Sequence, residues 1–188
     1  AAINPKVGGT ITLNQVAQTF TGTAEQMQAA FNGGLAGTQT GAVTISDTSG
    51  TIAATTLTDI TAQTNGTVTA AEADITISGT TEQVTAAIVT EETKAVMANG
   101  KVYLSDTGTV AATVLKAIGE TTGGVVTVNG AMTITGTTEQ LTNALVTEES
   151  KVIAASANVT FTDNPTGAQL AAINPKVGGT ITLNQVAQ

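Results

Sequence analysis

The sequence predicts an α/β fold, an elongated solenoid of stacked strand-helix coils with a parallel sheet, and three observations carry that expectation. Residues Ala1 to Gln18 recur letter for letter as Ala171 to Gln188, which sets a long period running from Ala1 to the residue before Ala171. Inside it a diverged motif returns at even spacing as Gly22-Thr-Ala-Glu-Gln-Met27, Gly79-Thr-Thr-Glu-Gln-Val84 and Gly136-Thr-Thr-Glu-Gln-Leu141. Third, apolar positions alternate with hydroxyl-bearing ones in some stretches and recur at i, i+3, i+4 in others, the signatures of half-buried strands and amphipathic helices. A β-solenoid with short helices is the alternative architecture.

A second landmark, Val43-Thr-Ile-Ser-Asp47, Val102-Tyr-Leu-Ser-Asp106 and Val159-Thr-Phe-Thr-Asp163, fixes the units as 42–100 and 101–157, with a third split into 158–188 and 1–41. Each unit reads as strand, short helix, strand, strand, short helix. Val43-Thr-Ile-Ser46 and Asp74-Ile-Thr-Ile-Ser78 are strands with Val or Ile facing in and Thr facing out. A first helix carries Ala53, Leu57 and Ile60, repeated as Ala111, Leu115, Ile118 and as Leu170, Ile173. The second begins at Thr23, Thr80 and Thr137, where Thr-x-x-Gln fits a capping box. Its apolar stripe is Met27, Ala30, Phe31, then Val84, Ala87, Ile88, then Leu141, Ala144, Leu145.

Glycines at Gly8-Gly9, Asn65-Gly66 and Gly123-Gly124 mark turns before the middle strand, and Pro165 and Pro175 flank one helix at tolerated positions. A helix this short and a lone strand cannot offset their ordering entropy, so neighbouring copies must supply the interior. The likeness of the two halves of each unit suggests a coil of roughly 28 residues, six to a long period, advancing the axis by about 29 Å if strands stack in parallel.

Composition excludes several function classes. The chain has no Cys, His, Trp or Arg, and six Lys stand against fourteen acidic residues for a net charge of −8. That balance repels phosphate backbones and anionic membranes, so nucleic acid is not an expected partner. Nucleophilic catalysis lacks an imidazole base, and transition metals lack both imidazole and thiolate. The expected reading is a non-enzyme without a cofactor. No apolar run is long enough to span a membrane, and the start, Ala1-Ala2-Ile3-Asn4-Pro5, reads as the interior of a longer protein.

The recurrent Asp47, Asp106 and Asp163 are weak calcium candidates; one carboxylate per unit falls short of the six to eight oxygens calcium takes, which favours a turn or helix-capping role. Glu91-Glu92 and Glu148-Glu149, with Lys94 and Lys151 behind them, read as solvated helix ends rather than paired catalytic carboxylates. The sequons at Asn65 and Asn158 carry little weight in a Thr-rich chain. The candidate interaction face is the Thr-x-Thr series: Thr10, Thr12, Thr19, Thr21, Thr67, Thr69, Thr133, Thr135, Thr160 and Thr162. Stacked on one parallel sheet, these would present an ordered hydroxyl array for ice, glycan or another cell.

Three stretches, Leu104-Ser-Asp-Thr-Gly-Thr-Val-Ala-Ala-Thr113, Thr121-Thr-Gly-Gly-Val-Val126 and Thr133-Ile-Thr-Gly-Thr137, resemble the repeats of giant cell-surface proteins of marine cyanobacteria, including the type associated with swimming motility. The resemblance covers all three units and departs at Asn164-Pro165 and Asn174-Pro175. It implies an extracellular or cell-surface location and a structural or motility role, and it carries no catalytic residue. The expected function is a structural segment of a long repeat protein forming a rod, fibre or surface layer. Its partners are adjacent copies of itself, joined covalently in tandem or head to tail as filament subunits.

Overall fold

A computed structural model describes residues 9–13, 17–70, 72–90, 92, 95–130 and 132–183. In chain order the elements are β1 (Phe20–Gly22), α1 (Ala24–Asn32), β2 (Val43–Ile45), β3 (Ser49–Ala53), α2 (Ala54–Thr61), β4 (Val68–Thr69) and β5 (Asp74–Gly79). Next come α3 (Thr81–Val84), continued by a π-helical turn at Thr85–Val89, then β6 (Ala95–Val96), β7 (Lys101–Leu104), β8 (Thr109–Ala111) and α4 (Ala112–Thr121). The chain closes with β9 (Val126–Val128), β10 (Thr133–Gly136), α5 (Thr138–Leu145), β11 (Val152–Ile153), β12 (Asn158–Phe161), α6 (Gly167–Ile173) and β13 (Ile181–Thr182).

The fold is α/β. Three open sheets run β1-β2-β4-β6, β3-β5-β7-β9-β11 and β8-β10-β12-β13, and every strand pair among the described residues is parallel. Parallel neighbours need a crossover connection, and here helices supply much of the connecting chain. The helices pack side by side in chain order, α1 on α2 and onward to α6.

Register is set by the inward files. Val43 lies between Phe20 and Val68, Val102 between Ile77 and Val126, and Val159 between Ile134 and Ile181. Along β2 and β7 the burial alternates, with Val43, Ile45, Val102 and Leu104 inside and Thr44 and Tyr103 outside, as the period of two requires. From the helical side Leu57, Ile60, Val84, Leu115, Ile118, Leu141 and Ala144 are wholly buried. Phe31 of α1 joins the core edge-to-face on Phe20, with centroids 5.4 Å apart.

Three expectations need correction. The order strand, short helix, strand, strand, short helix is too short: units 42–100 and 101–157 each add a strand before the first helix, β3 or β8, and another after the second, β6 or β11. Ala53 and Ala111 are exposed strand-end residues that serve as N-caps, and the first buried helical positions are Ala54 and Ala112, one position later. More consequentially, a single coil length shared by strands and helices does not describe the chain. Phe20 pairs with Val43, Val43 with Val68 and Val159 with Ile181, whereas α1 to α6 begin at the more widely spaced positions 24, 54, 81, 112, 138 and 167. Strands and helices therefore recur at different spacings.

The sheets record that mismatch. The equivalent strands β2, β7 and β12 lie in three different sheets, and so do β1, β5 and β10. The edge strands β3 and β8 run directly into α2 and α4, whereas β6 and β11 at opposite edges follow the π-helical turn and a 3-10 turn at Glu148–Ser150.

The turn glycines serve close approach rather than unusual dihedrals. A Cβ on Gly66 would collide with the Gly41 carbonyl, one on Gly124 with that of Gly100, and one on Gly179 with that of Ala157. In each case the obstacle is backbone about one strand step away, so only glycine lets the neighbouring turns nest. Thr64 and Thr122 finish the same turns: each buried hydroxyl donates to the Gly41 or Gly100 carbonyl and accepts from the Gly66 or Gly124 amide.

Candidate functional site

The recurrent aspartates bind neighbouring helices. In α1, α3 and α5 the N-cap threonine and the glutamine three positions on form a complete capping box, Thr23 with Gln26, Thr80 with Gln83 and Thr137 with Gln140. The N–H of the first helical residue is another donor that needs a partner outside the helix. Asp47 accepts it from Ala24 at 2.7 Å, Asp106 from Thr81 at 2.6 Å and Asp163 from Thr138 at 2.8 Å. Two of these carboxylates also accept the hydroxyl of the same threonine, Thr81 at 2.6 Å and Thr138 at 2.7 Å.

Each aspartate lies 23 or 25 residues beyond the helix it caps, so the bond ties one segment to the next. A carboxylate at a helix N-terminus also meets the positive end of the macrodipole. The three residues nominated for calcium thus hold backbone and hydroxyl protons. Among the described residues no group of three or more His, Cys, Asp or Glu gathers as a metal site.

Lys151, nominated only as part of a solvated helix end, does more. It is the one described non-glycine residue with positive φ, at 51°, and its ammonium reaches the carbonyls of Thr122 at 3.0 Å and Gly119 at 3.4 Å. Gly119 belongs to the last turn of α4, so a cation from a following segment sits at that helix's negative end. No spacing along the chain signals the contact, because Lys151 and Gly119 meet only across the fold. Glu148 and Glu149 lie on the 3-10 turn after α5, at the polar helix end expected, while Glu91 and Lys94 fall outside the described residues.

The threonine series does not form one face. Thr21, Thr44 and Thr69 stack across β1, β2 and β4, and the file ends on the exposed Val96. Thr135, Thr160 and Thr182 stack in a different sheet, behind Ala111, with Thr133 beside Thr109 and Asn158. Thr10 and Thr12 flank Ile11, which bridges to Leu35. Thr19, Thr67 and Thr162 lie just outside strands, all exposed. The reason is register: residues one unit apart in sequence do not share a file, because strand partners such as Val159 and Ile181 or Val68 and Ala95 are separated by less than half a unit.

On the β3-β5-β7-β9-β11 sheet the outward file reads Ala53, Ser78, Tyr103, Thr127 and Ile153, mixed in size and chemistry. Of the sequon asparagines, Asn158 accepts the Thr180 amide at 2.7 Å, and Asn65 is exposed. An open groove beside α3 and α4 is lined by Thr81, Glu82, Thr85, Asp106, Thr109 and Val114, with Asp106 already engaged by Thr81.

Comparison of the chain with protein-family models, curated proteins and solved structures returns no match. No helix among the described residues is long and apolar enough to cross a membrane.

Proposed function

We propose that this chain is a non-catalytic structural segment of a long extracellular repeat protein, a solenoid whose windings stack into a rod, fibre or cell-surface layer. The observation that carries the reading is the identity of Ala1–Gln18 with Ala171–Gln188, taken with the short, nearly constant step between parallel strand partners such as Val68 and Ala95 or Val159 and Ile181. At that step a long period holds roughly seven windings and advances about 34 Å, against six α-helices among the described residues.

Thickness accounts for the difference. Strands stack at about 4.8 Å, whereas packed helices need about 8–10 Å between axes. Helices placed one above another at strand spacing would collide. Displacing each helix a short way along the winding relative to the last relieves the clash, and the row of helices then circles the rod. Each unit turns the pattern by one sheet of three, so three units return it to its starting face. On this reading the long period is three units because three is the number that closes the rotation.

Denaturing mass analysis of native material from the cell-surface fraction tests the reading. The expected result is a polypeptide many times the 18.6 kDa of this chain. A native chain near that mass, recovered from the cell interior, would overturn it. A second reading, an adhesive face for ice or glycan, draws support only from two short files in different sheets, Thr21, Thr44 and Thr69, and Thr135, Thr160 and Thr182. Thermal hysteresis and glycan-array binding separate it from the first.

A further inference from the structure

The two identical segments are the same strand seen from opposite sides. Near the C-terminus, Ile181 pairs with Val159 on β12, Val159 donating its N–H to the Thr180 carbonyl at 2.9 Å, and β13 is the edge of its sheet. Near the N-terminus, the matching Ile11 bridges forward to Leu35: the Ile11 N–H donates to the Gly34 carbonyl at 2.9 Å, and the Ala36 N–H donates to the Ile11 carbonyl at 2.8 Å.

In a parallel ladder alternate residues turn their N–H and C=O to opposite sides. At the C-terminal copy the bond to β12 uses the Thr180 carbonyl, which leaves the Ile181 N–H and C=O pointing away from β12. Those are the two groups that Ile11 gives to Gly34 and Ala36. The glycine column agrees. Gly179 rests on the Ala157 carbonyl behind it, and the carbonyl of its twin Gly9 faces Gly34 ahead. Ile11 and Ile181 are each half-buried, Thr10, Thr12, Thr180 and Thr182 are all exposed, and the two segments have the same local sequence.

We infer that the β13 edge is an interaction surface for a second copy of this chain, in which Ile181 takes the place of that copy's Ile11 against Leu35. The ladder then runs Val110, Ile134, Val159, Ile181 and on to Leu35 of the next copy with no change of register. Resting on the rod reading, the inference names the contact between copies. Where two copies belong to one continuous chain, the same pairs form across a covalent junction. Where they are separate chains, the C-terminal strand of one displaces the identical N-terminal strand of the other, a strand addition whose affinity comes from main-chain bonds. The resident Ile11 strand competes from within its own chain at an effective concentration of about a millimolar, so the exchange is suppressed at micromolar concentration.

The test uses the full chain, Ala1 to Gln188, in sedimentation velocity over a wide concentration range. Ile11→Pro removes the N–H that Gly34 receives and leaves the Ile181 edge intact. It is expected to associate head to tail at concentrations roughly tenfold to hundredfold below those the wild type needs. The double variant Ile11→Pro with Ile181→Pro is expected to lose that association, because the Ile181 N–H faces away from β12 and its removal spares the chain's own pairing.

A folded Ile11→Pro chain that sediments as the wild type does overturns the inference, as does a double variant that associates as readily as the single one. Should Ile11→Pro fail to fold, amide exchange on the wild type decides. The Ile181 amide is expected to exchange more slowly as the chain approaches millimolar concentration, and an exchange rate independent of concentration overturns the inference. Denaturing mass analysis of native material keeps the two readings apart: a polypeptide many times 18.6 kDa together with no concentration-dependent association removes only this contact, and a native chain near 18.6 kDa removes the rod.

Discussion

The two kinds of helix begin differently, and the difference shows how neighbouring segments are held in register. Helices α1, α3 and α5 start at a threonine with a complete capping box and take a further carboxylate from the segment that follows. Helices α2 and α4 start at Ala53 and Ala111, which offer no side-chain cap, and each continues directly from an edge strand, β3 or β8. Helix α6, their counterpart in the third unit, departs from them and has a complete capping box of Thr166 with Gln169. One class is positioned by polar bonds at its first turn. In the other the strand's ladder, five register pairs for β3 on β5, fixes the entry of the chain.

That division predicts which changes matter equally to both classes and which to one. Removing core volume is expected to cost most and to ignore the distinction. Leu115→Ala in α4 and Leu141→Ala in α5 both truncate wholly buried side chains and should each lose about 2–5 kcal/mol in urea unfolding. A loss confined to one of the pair would mean the two classes differ in their core as well as in their caps.

Closing the turn column comes next. Gly66→Ala sets a methyl against the Gly41 carbonyl and should cost about 1–3 kcal/mol, while Gly108→Ala, with nothing within 4 Å, should lie within about 0.5 kcal/mol of the parent. Equal melting midpoints for the two would break the nesting argument.

The segment-to-segment cap separates the classes directly. Asp106→Ala leaves both the Thr81 N–H and its hydroxyl without that acceptor and is expected to lose about 1–3 kcal/mol. Asp47→Ala gives up a single bond, to Ala24, and should lose less. Denaturation midpoints in the reverse order would show that the hydroxyl bond adds nothing. The smallest effect expected is a gain: Ala111→Ser gives α4 the side-chain cap it lacks, worth about 0.5–1 kcal/mol if its hydroxyl reaches the first turn.

Unequal outcomes from equal motifs appear again at α3 and α5. Both begin with Thr-Thr-Glu-Gln, yet α5 stays α-helical to Leu145 while α3 passes into the π-helical turn Thr85–Val89. Thr142 donates its hydroxyl to the Thr138 carbonyl, whereas the equivalent Thr85 hydroxyl oxygen is buried with no hydrogen-bond partner. Nothing in the two sequences marks which copy will widen.

Local chemistry was legible. The capping boxes at Thr23, Thr80 and Thr137, the inward Val43 and Ile45, the buried stripe Leu141, Ala144 and Leu145, and the α/β class all follow from side-chain type at short range. So did a helix-capping role for Asp47, Asp106 and Asp163, though not the helix each would cap. The placement of the threonine files was missed because the repeat of the sequence motif hides the shorter strand step. The Lys151 contact with Gly119 and Thr122 was missed because it joins positions 32 and 29 apart with no shared motif.

By itself the sequence determined which side chains face inward, where the capped helices α1, α3 and α5 start and that the pattern of Ala1 returns at Ala171, because these depend on alternation, capping and identity along the chain. Only the tertiary structure decided that equivalent strands β2, β7 and β12 belong to different sheets and that each aspartate caps the helix 23 or 25 residues before it. Those depend on how far the chain travels before it meets itself again. That distance is the length of loop and helix between paired parallel strands, which no single strand or helix carries.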